Sequence, residues 1–304
     1  MSTSTAIVNG PLIYILAFCA LLFFLVVFLM VFFLVRYRKN RNPVPQELKA
    51  SPLLEVVWIV VPTLLVTTMF IYGLTSFRFL RNAPPDSIHV KVYARQWSWL
   101  FQYDNGKKSA DLIVPMGKNV TCELISQDVI HGFYIPAFRI QQDVVPGLTT
   151  KVWFNVNTPG SNYILCSQYC GLRHSAMTAK IIAVMPDQFD TWMSGKSIPL
   201  EGNAYADMPA GEALLYERGC MSCHSLTGAQ MVGPTLKGIM GTTITVMTNS
   251  QKRSVLVDSL YIRKSIIDPS ADIVDGFPNT MPPSRDMLSD EEIGRVVTYL
   301  KSLK

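Results

Sequence analysis

Cys166-Ser167-Gln168-Tyr169-Cys170-Gly171-Leu172-Arg173-His174-Ser175-Ala176-Met177 places two thiols, an imidazole and a thioether within twelve positions, directly after the strand-like run Asn162 to Cys166. Sulfur and imidazole are the ligand types that soft copper prefers. Two thiolates four residues apart on one loop can bridge a pair of metal ions, leaving one imidazole for each and weak outer ligands to complete them. The second imidazole has to come from elsewhere, and His131, read as lying in a turn after a strand, can supply it. A Cys2His2 zinc site draws on the same residue types and stays open on this reading.

The loop sits among short β-branched and aromatic runs. Ile88 to Tyr93, Trp97 to Tyr103, Asp111 to Pro115 and Val120 to Ser126 precede it, separated by turn residues such as Asp104-Asn105-Gly106. Thr149 to Val156 and Asn162 to Cys166 lead into it, and Thr178 to Val184 comes after it. Each has the length and composition of a strand, so residues 81–195 are expected to form an all-β sandwich or barrel.

Upstream the composition changes. The chain of 304 residues is 49% hydrophobic and carries a net charge of +5, and most of the apolar excess lies before residue 80. Leu12 to Val35 is an uncharged apolar run of 24 residues, long enough to cross a bilayer core of about 30 Å at 1.5 Å per residue. Leu53 to Phe77 is a second such run, with Glu55 near its start and Pro62 inside it. Arg36, Arg38, Lys39, Arg41 and Lys49 crowd the connecting loop, whereas Met1 to Pro11 has no charged side chain. The positive-inside rule therefore puts the loop in the cytoplasm and both ends outside, making residues 1–80 a transmembrane hairpin. A cleaved signal peptide is not expected, because the first run is too long and lacks a basic n-region. Cys19 lies mid-helix in a poor context for lipidation.

Downstream, residues 196–208 lie in a stretch rich in Gly, Pro, Ser and small polar types, and read as a linker. Residues 209–304 read as a small helical domain: Gly211 to Gly219 is helical, and Ser289-Asp290-Glu291-Glu292 is a capping box opening a helix with Ile293, Val296, Val297 and Leu300 on one face. A domain under about 100 residues usually needs a staple or a cofactor. Cys220-Met221-Ser222-Cys223-His224 supplies one, being the C-x-x-C-H pattern of haem c attachment, with thioethers from Cys220 and Cys223 and His224 as an axial ligand. Zinc would need further ligands, and these three are the only Cys and His beyond residue 208. The sixth ligand should be soft. Met281, in the Pro-bounded run Asn279-Thr280-Met281-Pro282-Pro283, is best placed, with Met231, Met240, Met247 and Met287 also available.

These residues carry two resemblances. With Gly233-Pro234 after the haem motif and Met281-Pro282-Pro283 before the last helix, residues 209–304 resemble the class I cytochrome c family, which implies an all-α domain and favours Met281. The loop from Cys166 to Met177, together with Asp128-Val129-Ile130-His131, Asp143-Val144-Val145-Pro146-Gly147, Glu55-Val56-Val57-Trp58 and Gln96-Trp97-Ser98-Trp99, resembles cytochrome c oxidase subunit II. That resemblance implies a cupredoxin-like Greek-key barrel holding a dinuclear copper centre, CuA. Its ligands would be His131, Cys166, Cys170, His174 and Met177, with Gln168 binding through its backbone carbonyl. Most of that family has Glu where Gln168 stands, and its carboxylate helps hold magnesium at the subunit boundary. An amide lacks the charge, so magnesium is left open here.

By the same resemblance Trp97 is the aromatic through which electrons enter the copper centre, set against ordinary packing, and Glu55 lies near the mouth of a proton path, set against an acid that simply reaches water. His89 and Cys122 are read as structural. The implied function is electron entry: from an external donor, a cytochrome c or another respiratory complex, through haem c and CuA to a haem-copper catalytic subunit I that reduces oxygen to water. Other oxidase subunits and membrane lipid are expected partners, and nucleic acid is not. The location implied is a prokaryotic plasma membrane, with the copper and haem domains on the periplasmic face. An electron-entry subunit of a nitric oxide reductase and a stand-alone copper-binding membrane protein remain as alternatives. Beyond residue 208 ten Lys and Arg face ten Asp and Glu, so net charge does not identify the donor.

Overall fold

A computed structural model describes residues 2–44, 51–196, 198, 208–285 and 287–303. The position of Lys49 and most of the stretch read as a linker, 197 and 199–207, lie outside the described residues.

Two long helices open the chain, α1 at Thr3–Arg36 and α2 at Pro52–Arg81. Ser2 caps α1 by accepting from Thr5 N, and Ser51 caps α2 with Pro52 in its first turn, where a missing N–H leaves nothing unsatisfied. Both helices are apolar around their whole circumference and long enough to cross a membrane. Tyr14 hydrogen-bonds Thr68 at 2.8 Å and meets the Tyr72 ring edge-on, joining the pair. The hairpin is tied to the β-rich region by the Ser4 hydroxyl on the Phe138 carbonyl and by Trp153 Nε1 on the Phe79 carbonyl.

That region contains ten strands: β1 Ile88–Arg95, β2 Ser98–Tyr103, β3 Lys108–Ser109, β4 Leu112–Pro115, β5 Asn119–Ser126, β6 His131–Ile135, β7 Ile140–Val144, β8 Thr150–Asn155, β9 Gly160–Cys166 and β10 Thr178–Val184. They form two five-stranded sheets, ordered β3-β2-β1-β5-β8 and β4-β10-β9-β6-β7. The β1–β5 and β10–β4 pairs are parallel and the other pairs antiparallel, giving a cupredoxin-like arrangement. Alternate side chains point inward, so Val92, Phe101, Leu124, Phe133, Phe154, Ile164 and Ile181 are sealed between the sheets. The Tyr103 hydroxyl both donates to the Ile113 carbonyl and accepts from its N–H, so this buried phenol is fully paired. Helix α3, Pro186–Met193, lays Phe189 and Trp192 against Tyr103 and closes one end.

His131 does not lie in a turn: it is the first residue of β6. In His131-Gly132-Phe133-Tyr134-Ile135 the side chains of Phe133 and Ile135 are wholly buried, and pairing with β7 and β9 on either side makes this a central strand. The glycine and the single apolar alternation mask that pattern in the sequence.

The last region has three helices, α4 Ala210–Glu217, α5 Ser259–Ile267 and α6 Asp290–Ser302. The capping box forms as expected, with Ser289 Oγ accepting from Glu292 N and Glu292 Oε2 accepting from Ser289 N. Leu214 and Leu215 of α4 pack against Ile293, Val296 and Leu300 of α6. Among these helices lies a small sheet, β12-β11-β13, from β11 Thr243–Thr248, β12 Gln251–Leu256 and β13 Ile273–Val274. Its hairpin turns on Asn249 and Ser250, both at positive φ, the conformation a two-residue turn needs to match strand twist.

Candidate copper and haem sites

The strand ends place the thiol loop. Cys166 closes β9 and Met177 precedes β10; the ladder pairs Leu165 with Thr178, and Cys166 N donates to the Met177 carbonyl, folding the loop back on itself. The two sulfurs of Cys166 and Cys170 lie 3.7 Å apart. His131 Nδ1 is 3.9 Å from the Cys166 sulfur, and His174 Nδ1 is 3.5 Å from that of Cys170. Met177 Sδ is 3.8 Å from Cys170 Sγ, and the Gln168 carbonyl is 3.2 Å from Cys166 Sγ. All six positions expected around the copper centre are thus gathered into one cluster, with the ligand atoms of His131, Cys166 and Cys170 within 4.8 Å of one another. Strand β6 can pass this close to the loop because residue 132 is Gly: a Cβ there would stand 2.1 Å from Ser167 Oγ and 2.9 Å from Gln168 N.

Asp128 orients the site. Its Oδ1 accepts from His131 Nε2 at 2.7 Å, which turns Nδ1 of the buried ring toward the sulfurs. Its Oδ2 accepts from Gln96 N at 2.6 Å. Burial opposes ionisation of Cys166, yet hydrogen bonds from His131 and the backbone of Gly132 and Gln168 outweigh it and lower its pKa. Burial, then the neighbouring Cys166 thiolate, push Cys170 the other way. Two thiols, two imidazoles and a thioether gathered this closely are a donor set that a soft metal cation would complete. The Gln168 amide donates to Asp143 at 2.9 Å.

The second site is a cavity lined by Cys220, Cys223, His224, Met281 and mainly apolar side chains of α4, α5 and α6, with about 1360 Å³ of empty space including its open mouth. Its wall carries two thiols, an imidazole and a thioether, the donor set that a c-type haem uses. His224 Nδ1 donates to the Pro234 carbonyl at 2.7 Å, leaving Nε2 for a metal, and Gly233 permits it, since a Cβ there would lie 2.6 Å from the imidazole ring. Burial lowers the His224 pKa despite that hydrogen bond, keeping the ring in the neutral form that ligates. Burial raises the pKa of both Cys220 and Cys223. Of the five methionines weighed as axial ligand, Met281 alone lines the cavity. Met231 and Met287 instead meet Arg173 and Gln127 of the β-region, both at 3.8 Å.

The two sites abut. The Ser222 hydroxyl, inside the C-x-x-C-H motif, donates to the Trp97 carbonyl at 3.0 Å, and Trp97 Nε1 donates to the Cys170 carbonyl at 3.0 Å. Gln96 Nε2 donates to the same carbonyl at 2.7 Å. Arg95, also in this seam, donates to the Arg218 carbonyl across it. Glu55, in the first turn of α2, is exposed and stands apart from both sites. Arg95, Gln96, Asp128 and Ser222 had no assigned role in the expected site, although Gln96 and Asp128 stand in segments that carry the resemblance. Asp128 carried a signal of its own, a carboxylate three residues before His131; the contacts of the other three come from tertiary packing.

Comparison with known proteins agrees along the chain. The family described as cytochrome c oxidase subunit II, transmembrane domain, matches residues 5–78, the periplasmic domain of the same subunit matches 107–184, and cytochrome c matches 209–304. Cytochrome c oxidase subunit 2 of Alkalihalophilus pseudofirmus is 30% identical over 292 residues, covering 90% of this chain and 81% of its own. A probable cytochrome c oxidase subunit 2 of Rickettsia bellii is 29% identical over 195 residues, covering 56% of this chain and 71% of its own. The crystal structure of the periplasmic domain of subunit II from Bradyrhizobium japonicum is 30% identical, covering 38% of this chain and 96% of its own, with a TM-score of 0.36. The matched domains imply copper and haem c binding, and with two apolar helices ahead of a periplasmic domain the protein is membrane-anchored. Identity of 30% across nine-tenths of the chain, running through all three matched regions, makes this protein a member of the cytochrome c oxidase subunit II family that also carries a cytochrome c domain.

Proposed function

We propose that this subunit is the electron entry of its oxidase, taking electrons from an external donor to haem c, then to a dinuclear copper centre, then to the haem-copper catalytic subunit that reduces oxygen to water. The observation that carries this reading is the bonded seam of Ser222, Trp97 and Cys170, which joins the haem motif to the copper loop through a single aromatic residue. Haem c and copper supply the one-electron chemistry when bound.

The chain's own residues hold and orient those groups. Cys166 and Cys170 are the bridging thiolates, His131 and His174 the imidazoles, and Met177 and the Gln168 carbonyl the outer ligands. Cys220 and Cys223 carry the haem, with His224 and Met281 as its axial pair. Trp97 fills the seam and keeps water from it. The Gln168 amide is engaged with Asp143 and offers no carboxylate for a magnesium ion. Residues 1–80 anchor the subunit in a prokaryotic plasma membrane, residues 81–195 and 209–304 form the copper and haem domains on its outer face, and residues 196–208 link them. Glu55 borders the proton path of the catalytic subunit. The test is the cofactor content of the purified full chain: two coppers and one covalent haem are expected, whereas one zinc and no copper would overturn the copper assignment.

A further inference from the structure

Gln96 lines the cavity that holds Cys220, Cys223, His224 and Met281, whereas Trp97 is not among the described residues of its wall. The Gln96 Nε2 donates to the Cys170 carbonyl at 2.7 Å, a shorter bond than the 3.0 Å from Trp97 Nε1 to the same oxygen. Among the described residues that line the cavity, it alone hydrogen-bonds the loop from Cys166 to Met177. The approach is close because residue 171 is Gly: a Cβ there would stand 3.0 Å from Gln96 Nε2 and 3.2 Å from the Trp97 ring. The backbone of Gln96 is fixed as well, its N–H donating at 2.6 Å to the Asp128 carboxylate that also holds His131.

Trp97 Nε1 already pairs the Cys170 carbonyl, so the second donor is not needed to satisfy a buried oxygen. What it adds is a bonded route. Electronic coupling between two redox groups decays gently along covalent and short hydrogen bonds and steeply across non-bonded gaps. From the cavity the Gln96 route runs along the amide, over one short hydrogen bond, and through the carbonyl, Cα and Cβ of Cys170 to its sulfur. The Trp97 route starts further back, at Ser222 Oγ, and passes through the Trp97 backbone before it reaches the ring. We propose that Gln96 is a second electron bridge, parallel to Trp97, which carries electrons from the haem cavity to the Cys170 thiolate through its side-chain amide. This rests on the electron-entry reading of the two sites. One electron crosses per event: the haem iron loses it and the copper pair gains it, no bond forms or breaks, and the amide is neither oxidised nor protonated.

The experiment uses the assembled oxidase with both cofactors, as wild type and Q96M. Methionine keeps the length of glutamine and has no N–H to donate. One electron is injected into the haem by a photoactivated reductant, and the haem-to-copper rate is read alongside both potentials and the copper paramagnetic resonance spectrum. A wild type that holds both cofactors and passes no electron between them overturns the electron-entry reading and this proposal together. With transfer present in the wild type, Q96M is expected to slow it several-fold at unchanged potentials and an unchanged copper spectrum. A rate undiminished in Q96M, or diminished only as far as a changed potential accounts for, overturns the proposal and leaves the reading intact. The second measurement does not depend on Q96M folding. A Q168E chain, in which the copper loop's own glutamine is replaced by the residue most of the family carries there, is labelled with 15N in its glutamine side-chain amides. Electron-nuclear double resonance at the copper pair is expected to find a coupled 15N from Gln96 Nε2, because the bridge that carries the electron also carries spin density. No coupled amide nitrogen overturns the proposal.

Discussion

Replacing Asp128 with Asn tests how the copper loop is held without touching a ligand. The carboxylate accepts on both oxygens: His131 Nε2 and Val129 N on Oδ1, at 2.7 and 2.6 Å, and Gln96 N on Oδ2 at 2.6 Å. An amide has one oxygen, so whichever way the substituted side chain sits, its NH2 group faces an N–H donor and one of them is left unsatisfied. An unsatisfied buried donor costs about 1–3 kcal/mol. The other effect falls on the metal: loss of the partner that fixes a ligating imidazole lowers metal affinity about 10–100-fold. Copper titration against a competing chelator, followed by the copper absorption and electron paramagnetic resonance spectra, measures this directly, with the haem c band as an internal control. D128N should bind copper at least about tenfold more weakly, with haem content unchanged. Wild-type copper affinity in D128N would refute the claim that Asp128 orients His131.

Cys166→Ser should abolish the delocalised copper spectrum while leaving haem c intact, since the haem ligands lie in another domain; loss of both signals together would show that the sites are not independent. Met281→Ala should leave the haem covalently attached through Cys220 and Cys223 but lower its potential, because a thioether favours the ferrous state; potentiometry reads this, and a wild-type potential in M281A would contradict the assignment. Asp272 is buried, which opposes ionisation, but hydrogen bonds from Lys264, Thr248 and Arg253 prevail and lower its pKa to about 2. Its stabilisation is therefore present above the unfolded value near 3.8 and is lost as pH falls through about 2. Because the side chains of Lys264 and Arg253 are about half exposed, the effect is screened to about 1–2 kcal/mol. Urea midpoints followed by haem absorbance should show D272N less stable at pH 7, with the gap narrowing below pH 4; a pH-independent gap would refute the linkage.

Much of this was legible in the sequence because the decisive residues are local. Cys166 to Met177 and Cys220 to His224 each hold their chemistry within a dozen positions, and the two apolar runs need no tertiary information. The hairpin of β11 and β12 was not read, although Thr243-Ile244-Thr245-Val246 alternates with period two: only Val246 of the four is fully buried, so the strand owes little to its own hydrophobic pattern. The strand at His131 was missed for a related reason, since Gly132 is selected by the approach of Ser167, thirty-five positions away. Arg95 and Ser222 could not be read at all. Each is an ordinary polar residue on a turn or strand end, and its meaning comes from the docking of two domains.

In the proposed function electrons reach copper through the haem motif and Trp97. Injecting one electron into the haem of the assembled oxidase by a photoactivated reductant, and following the haem c and copper absorption bands together, tests it most directly. The haem is expected to reoxidise at the rate at which copper is reduced, and Trp97→Ala to slow both phases equally without altering either cofactor's content. Copper reduced by the external donor at an undiminished rate in a C220A/C223A chain without haem would contradict it.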